Sequence, residues 1–156
     1  KNVKIVRTMP NTPALVGAGM TAACPNEYMT KEEIAYVLTL LESFGRVESI
    51  PERLMDTVVS VSGSSPAYVF MFIEAMADAA VSGGMPRAQA YQFAAQAVLG
   101  SAKMVLETVK HLGELKDMVC SPAGTTIEAV RVLEEKGFRS SVIEAMKTCE
   151  EISKSM

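Results

Sequence analysis

Residues 57–102 read TVVSVSGSSPAYVFMFIEAMADAAVSGGMPRAQAYQFAAQAVLGSA, and in those 46 positions only Glu74, Asp78 and Arg87 are charged. Val/Ile alternation does not extend past residues 58–61, and the rest of the stretch has the composition and spacing of helices. Ser65-Pro66 gives an N-cap with proline at the first helical position, which predicts a helix over residues 65–82 closed by Gly83-Gly84. Met85-Pro86 restarts a second helix, rich in Ala, Gln and Leu, that runs to residue 109; shorter helices cover 114–119, 126–136 and 139–154. Two long helices with almost no solvated face cannot hide that surface within a small domain. They form either the centre of a larger monomer or half of an interlocked homodimer, and apolar-patch arguments favour the homodimer.

Upstream the pattern changes. Residues 3–6, 20–23 and 46–50 read as strands, and Thr30-Lys31-Glu32-Glu33 is a capping box that opens a helix running to Phe44 and stopping at Gly45. Strands alternating with a helix are the signature of α/β organisation. The division therefore falls between residues 56 and 57. The first residue, Lys1, leads straight into a strand already under way, which reads as a piece of a longer protein.

Composition excludes several function classes. The chain has 156 residues, 49% hydrophobic, with 15 Lys plus Arg against 18 Asp plus Glu, so it has no basic footprint for nucleic acid. Residues 66–83, the most apolar run, carry Glu74 and Asp78 one turn apart, which argues against a membrane span. Cys24, Cys120 and Cys149 form no CxxC pair, and their odd number reads as reduced thiols in a cytoplasmic protein. A single histidine, His111, removes most Ser/His, Cys/His and zinc schemes, so no metal site is expected, and it reads as a helix-end cation.

Four places could carry chemistry. Gly17-Ala18-Gly19-Met20-Thr21-Ala22 matches the glycine-rich dinucleotide pattern, but prolines precede it and a strand continues after it, so the match reads as accidental. Ser121-Pro122-Ala123-Gly124-Thr125-Thr126 is a small, hydroxyl-rich turn feeding a helix. It is either a plain Ser/Thr cap or a carboxylate cradle built from free N–H groups and the positive helix end. Asn11, between Pro10 and Pro13, comes after the first strand at its carboxyl end, where it could reach a cofactor ring or close an Asx turn. Glu52 comes after Pro51 at the division, either as a site carboxylate or as a first-turn helix acid.

Four ordered motifs give the chain a family resemblance. They are Arg7-Thr8-Met9-Pro10-Asn11-Thr12-Pro13, Val61-Ser62-Gly63-Ser64-Ser65-Pro66-Ala67-Tyr68, Gly84-Met85-Pro86-Arg87, and the run from Leu115 through Ser121-Pro122-Ala123-Gly124-Thr125-Thr126 to Ala129. In these the sequence resembles the carboxyl-terminal part of Δ1-pyrroline-5-carboxylate reductase. The resemblance implies a mainly α chain, with residues 1–56 the remnant of an α/β Rossmann-type dinucleotide domain and residues 57–156 an all-helical dimerisation and substrate-binding domain. It implies reduction of the cyclic imine to L-proline by hydride from NADPH or NADH, in homodimers that assemble further into decamers. The implied substrate residues are Ser121, Gly124, Thr125, Thr126 and Glu52. Thr126 is the implied general acid near the imine nitrogen, and Asn11 lies near the nicotinamide.

The resemblance has gaps. Ala123 stands where many relatives have glycine, Met118 where some carry an asparagine that reaches the cofactor, and Ser65 where glycine is usual. The glycine-rich phosphate turn belongs upstream of Lys1, so residues 1–156 alone are expected to show negligible turnover. Two other readings compete: a related imine or β-hydroxyacid dehydrogenase, disfavoured because residues 62–81 contain no lysine, and a helical dimerisation module without chemistry.

Overall fold

The computed structural model describes residues 2–156. Strand β1 (Val6–Met9) leads through a 3-10 turn, Thr12–Val16, into β2 (Gly19–Pro25), then helix α1 (Lys31–Leu41), which tightens into a 3-10 turn (Glu42–Phe44) before Gly45, and β3 (Gly45–Ser49). β2 lies in the centre of a three-stranded sheet, antiparallel to β1 and parallel to β3. With α1 as the crossover, β2 and β3 make a βαβ unit, as the alternating pattern predicts. Thr21, Ala22 and Ala23 of β2 are buried. The predicted capping box is present: the Thr30 hydroxyl accepts from the Glu33 N–H at 3.3 Å, and the Glu33 carboxylate accepts from the Thr30 N–H at 3.0 Å. Gly45 has φ 153°, and a Cβ there would sit 2.1 Å from the Gly19 carbonyl oxygen, so only glycine fits where β2 and β3 begin side by side.

The first strand starts later than residues 3–6 suggested. Val6 pairs with Pro25, and beyond it the Asn26 side chain replaces a strand: its Oδ1 accepts from the Ile5 N–H at 3.3 Å and its Nδ2 donates to the Val3 carbonyl at 2.7 Å.

The helical part opens earlier than expected. A 3-10 turn (Glu52–Leu54), α2 (Met55–Val58) and a π-helical turn (Val59–Gly63) run into α3 (Ser65–Ser82). Ser65 is therefore not an N-cap: its hydroxyl donates back to the Val61 carbonyl at 2.6 Å. Pro66 sits inside a helical run, and its missing N–H is what the π-helical turn accommodates. The run Glu52–Ser82 spans 31 residues and is by length and composition alone long and apolar enough to cross a membrane, with Glu74 and Asp78 interrupting it as the sequence indicated.

Then come α4 (Arg87–Glu107), α5 (Leu112–Val119), α6 (Thr125–Glu135) and α7 (Phe138–Ser155), each within two residues of its expected bounds. His111 is not a helix-end cation. It is the N-cap of α5, its Nδ1 accepting from the Gly113 N–H at 3.1 Å.

The chain forms two compact units, Lys1–Tyr68 with Glu144–Met156, and Val69–Ile143. In the first, the end of α7 is tied to the α2–π segment by Ser153 Oγ donating to Asp56 at 2.7 Å and by Cys149 Sγ lying 3.2 Å from Ser64 Oγ. In the second, Ala77, Ala90 and Ala94 are buried, the Phe72 and Phe138 rings lie 6.0 Å apart, and Arg87 pairs with Asp78 while lying over the Tyr91 ring. Large apolar side chains of the same unit face outward: Phe70, Met71 and Phe93 are each more than 60% exposed.

Candidate functional site

In the second unit, α5 ends at Val119 and the chain turns sharply. The Gly124 N–H donates to the Ser121 carbonyl at 3.0 Å, closing a β-turn with Pro122 and Ala123 at its centre. Ala123 has φ 54° and is the one non-glycine residue among those described with a positive φ. Proline second and a positive φ third is the type II pattern, which favours glycine at the third place. Gly124 is then the N-cap of α6 in extended conformation, and no side chain caps the helix. The plain Ser/Thr cap is thus not what this turn provides. The first amides of α6, from Thr125 and Thr126 onward, have no intrahelical acceptor and sit at the positive end of an 11-residue helix. Ser121 and Thr125 are exposed and Thr126 half-buried. A Cβ on Gly124 would lie 2.3 Å from Ser121 Oγ and 3.1 Å from the Ser121 carbonyl oxygen, so glycine keeps the bend tight. Glu128, the acid of the first turn, is held by Arg131 at 3.0 Å. The arrangement can take a small carboxylate on backbone amides with hydroxyls beside it.

The other two candidate residues lie in the first unit. Glu52 opens the 3-10 turn after Pro51 and forms an ion pair with Arg7 of β1. The pair lines a cleft of about 330 Å³ with Ile5, Cys24, Asn26 and Glu27. Burial first, then the hydrogen bond and charge of Glu52, push the Cys24 thiol above its ordinary pKa, against a smaller pull from Arg7. Asn11 does not close an Asx turn: its Oδ1 accepts from the Met20 N–H at 2.8 Å and its Nδ2 donates to the Ser62 carbonyl at 3.0 Å. One amide hydrogen is left over for another acceptor. Sequence reasoning missed Arg7 and Cys24 as neighbours of Glu52. They are direct partners across β1 and β2, a register that becomes visible only once the two strands are known to be antiparallel.

The glycine-rich stretch does not hold a dinucleotide. Gly17 ends the 3-10 turn at φ 70° and Gly19 opens β2, so no helix N-terminus comes next to receive a pyrophosphate. Residues 17–22 therefore do not fit the phosphate portion of a nicotinamide cofactor.

Comparison with known proteins agrees with this architecture. A family model for pyrroline-5-carboxylate reductase dimerisation matches residues 52–156. The chain is 71% identical over 153 residues to the pyrroline-5-carboxylate reductase of Escherichia coli K12, covering 98% of this chain and 57% of that one. It is 51% identical to the Synechocystis enzyme of the same name, covering 92% and 54%. Its fold superposes on a pyrroline-5-carboxylate reductase from Coxiella burnetii with a TM-score of 0.95 at 36% identity, covering 99% and 58%. On the Plasmodium falciparum pyrroline carboxylate reductase with NADP bound it scores 0.90 at 37% identity, covering 97% and 61%. The chain spans a little over half the length of these relatives. With a family match over two-thirds of its residues and a shared fold throughout, it belongs to the pyrroline-5-carboxylate reductase family.

Proposed function

We propose that this chain carries the substrate-binding and dimer-forming part of an enzyme that reduces 1-pyrroline-5-carboxylate to L-proline with NADPH or NADH. The observation that carries the reading is the entry to α6, where amides left without a side-chain cap meet the Ser121, Thr125 and Thr126 hydroxyls. Reducing a cyclic imine adds a hydride to the C=N carbon and a proton to nitrogen. A nicotinamide cofactor supplies the hydride when bound, and its phosphates are held outside residues 1–156.

The roles rest on chemistry. The Gly124, Thr125 and Thr126 region binds the substrate carboxylate through N–H groups, with the helix end adding positive potential. The Thr126 hydroxyl donates to the imine nitrogen, which makes the carbon a better hydride acceptor. Glu52 contacts the substrate where positive charge develops on nitrogen, and the ion pair with Arg7 orients that carboxylate. Asn11 belongs to the loop that meets the nicotinamide end. The outward Phe70, Met71 and Phe93 are covered by a second copy of the chain rather than by lipid, in a cytoplasmic homodimer that assembles further into decamers. Nothing in this reading requires a metal or a nucleic acid. The family match sets aside the imine and β-hydroxyacid dehydrogenase alternatives.

The test is a fusion that places the amino-terminal segment of the E. coli reductase ahead of Lys1, assayed for NADPH oxidation with 1-pyrroline-5-carboxylate. The fusion should turn over, residues 1–156 alone should not, and Thr126→Val should lower kcat by about 100-fold while Thr126→Ser retains most of it. A Thr126→Val fusion with unchanged kcat would remove Thr126 from the chemistry.

A further inference from the structure

Pro66 has no N–H, so inside the helical run from Glu52 to Ser82 it leaves the Ser62 carbonyl without its α-helical donor. Asn11 Nδ2 donates to that carbonyl at 3.0 Å, from the loop between β1 and β2. The other end of the same amide accepts from the Met20 N–H at 2.8 Å, at the start of the buried strand. A half-buried carbonyl left bare is costly, so the proline creates a vacancy that a particular loop residue fills.

We propose that Asn11 is a positioning residue, which stands in for the N–H that Pro66 lacks and so locks the Asn11 loop, the head of β2 and the π-helical turn Val59–Gly63 into one rigid piece. The asparagine amide suits the task because it donates and accepts at once, and neither aspartate nor alanine can do both. The π-helical turn is then a device rather than a defect, because it presents the Ser62 carbonyl to the loop. The functional consequence rests on the proposed reductase reading: a loop fixed in this way holds the nicotinamide end of the cofactor in register.

The test is amide exchange and kinetics on the fusion of the E. coli amino-terminal segment to this chain. Asn11→Asp keeps the acceptor and loses the donor, so the Ser64 amide, which closes the π turn onto Val59 at 2.7 Å, should exchange roughly tenfold faster while the Met20 amide stays protected. Asn11→Ala should expose both. Adding Pro66→Ala to Asn11→Ala returns an N–H to the helix and should restore Ser64 protection but not Met20. In Asn11→Ala the KM for NADPH should rise several-fold and kcat should fall with it, and KM should stay high in the double variant, because the helix is repaired without the tie to the loop. Ser64 exchange unmoved by Asn11→Asp, Ser64 protection not restored by Pro66→Ala, or KM recovering along with it would each overturn the proposal. A fusion with intact residues that fails to reduce the imine would instead count against the reductase reading, and the exchange pattern would still decide the role of Asn11.

Discussion

Replacing Ala123 by glycine should stabilise the protein, the reverse of what the same exchange does almost anywhere else. Ala123 holds φ 54° at the third position of the turn that enters α6. A residue with a Cβ in the left-handed region costs about 1–2 kcal/mol. Glycine removes that cost but adds about 0.4–1 kcal/mol of freedom to the unfolded chain. The difference leaves a net gain on the order of 0.5–1 kcal/mol, which for a chain of this size raises Tm by ~2 °C. Urea titration should show a higher midpoint with unchanged slope. Ala129→Gly, on the exposed face of α6 six residues further on, is the control and should lose about 1 kcal/mol. If Ala123→Gly destabilises as Ala129→Gly does, the backbone at 123 is not left-handed and the carboxylate cradle has another shape.

Thr21 Oγ1 is fully buried with no hydrogen-bond partner among the described residues, so Thr21→Val should raise stability by about 1–2 kcal/mol in urea titration. The Glu33 carboxylate is held below the ordinary glutamate range, first by its hydrogen bond to Lys4 and then by the Thr30 N–H. Because its folded pKa lies below the unfolded one, its contribution is present above the ordinary glutamate pKa and is lost as pH falls through the folded value. Glu33→Gln should therefore weaken the protein at neutral pH and flatten that part of the acid transition. Phe93, 67% exposed on α4, should be covered in the dimer, and Phe93→Asp should weaken self-association by about 2 kcal/mol or more in analytical ultracentrifugation.

Legibility in the sequence depended on whether the signal was local. The capping box at Thr30, the stop at Gly45 and the bounds of α4 to α7 all depend on residues within one or two turns, and they read correctly. Ser65-Pro66 misled because an N-cap with proline after it looks the same as a proline tolerated inside a helix. What separates them is the Asn11 amide, 51 residues away from Ser62 in sequence. His111 misled for a related reason, since a histidine after one helix and before another can serve either end, and only the break at Glu107 assigns it to α5. At the site, the composition of residues 121–126 left a cradle and a plain cap both open, and the positive φ of Ala123 became visible only in the backbone. The neighbours of Glu52 were not legible, because Arg7 and Cys24 meet it through strand pairing rather than through any motif.

The most direct measurement is an L-proline titration of the 15N-labelled chain, with backbone amides monitored by NMR. A carboxylate cradle at the entry to α6 predicts saturable shifts centred on Gly124, Thr125 and Thr126, weakened by Gly124→Ala, whose Cβ would crowd the Ser121 carbonyl oxygen at 3.1 Å. Proline that perturbs other amides while leaving these three unmoved would contradict it.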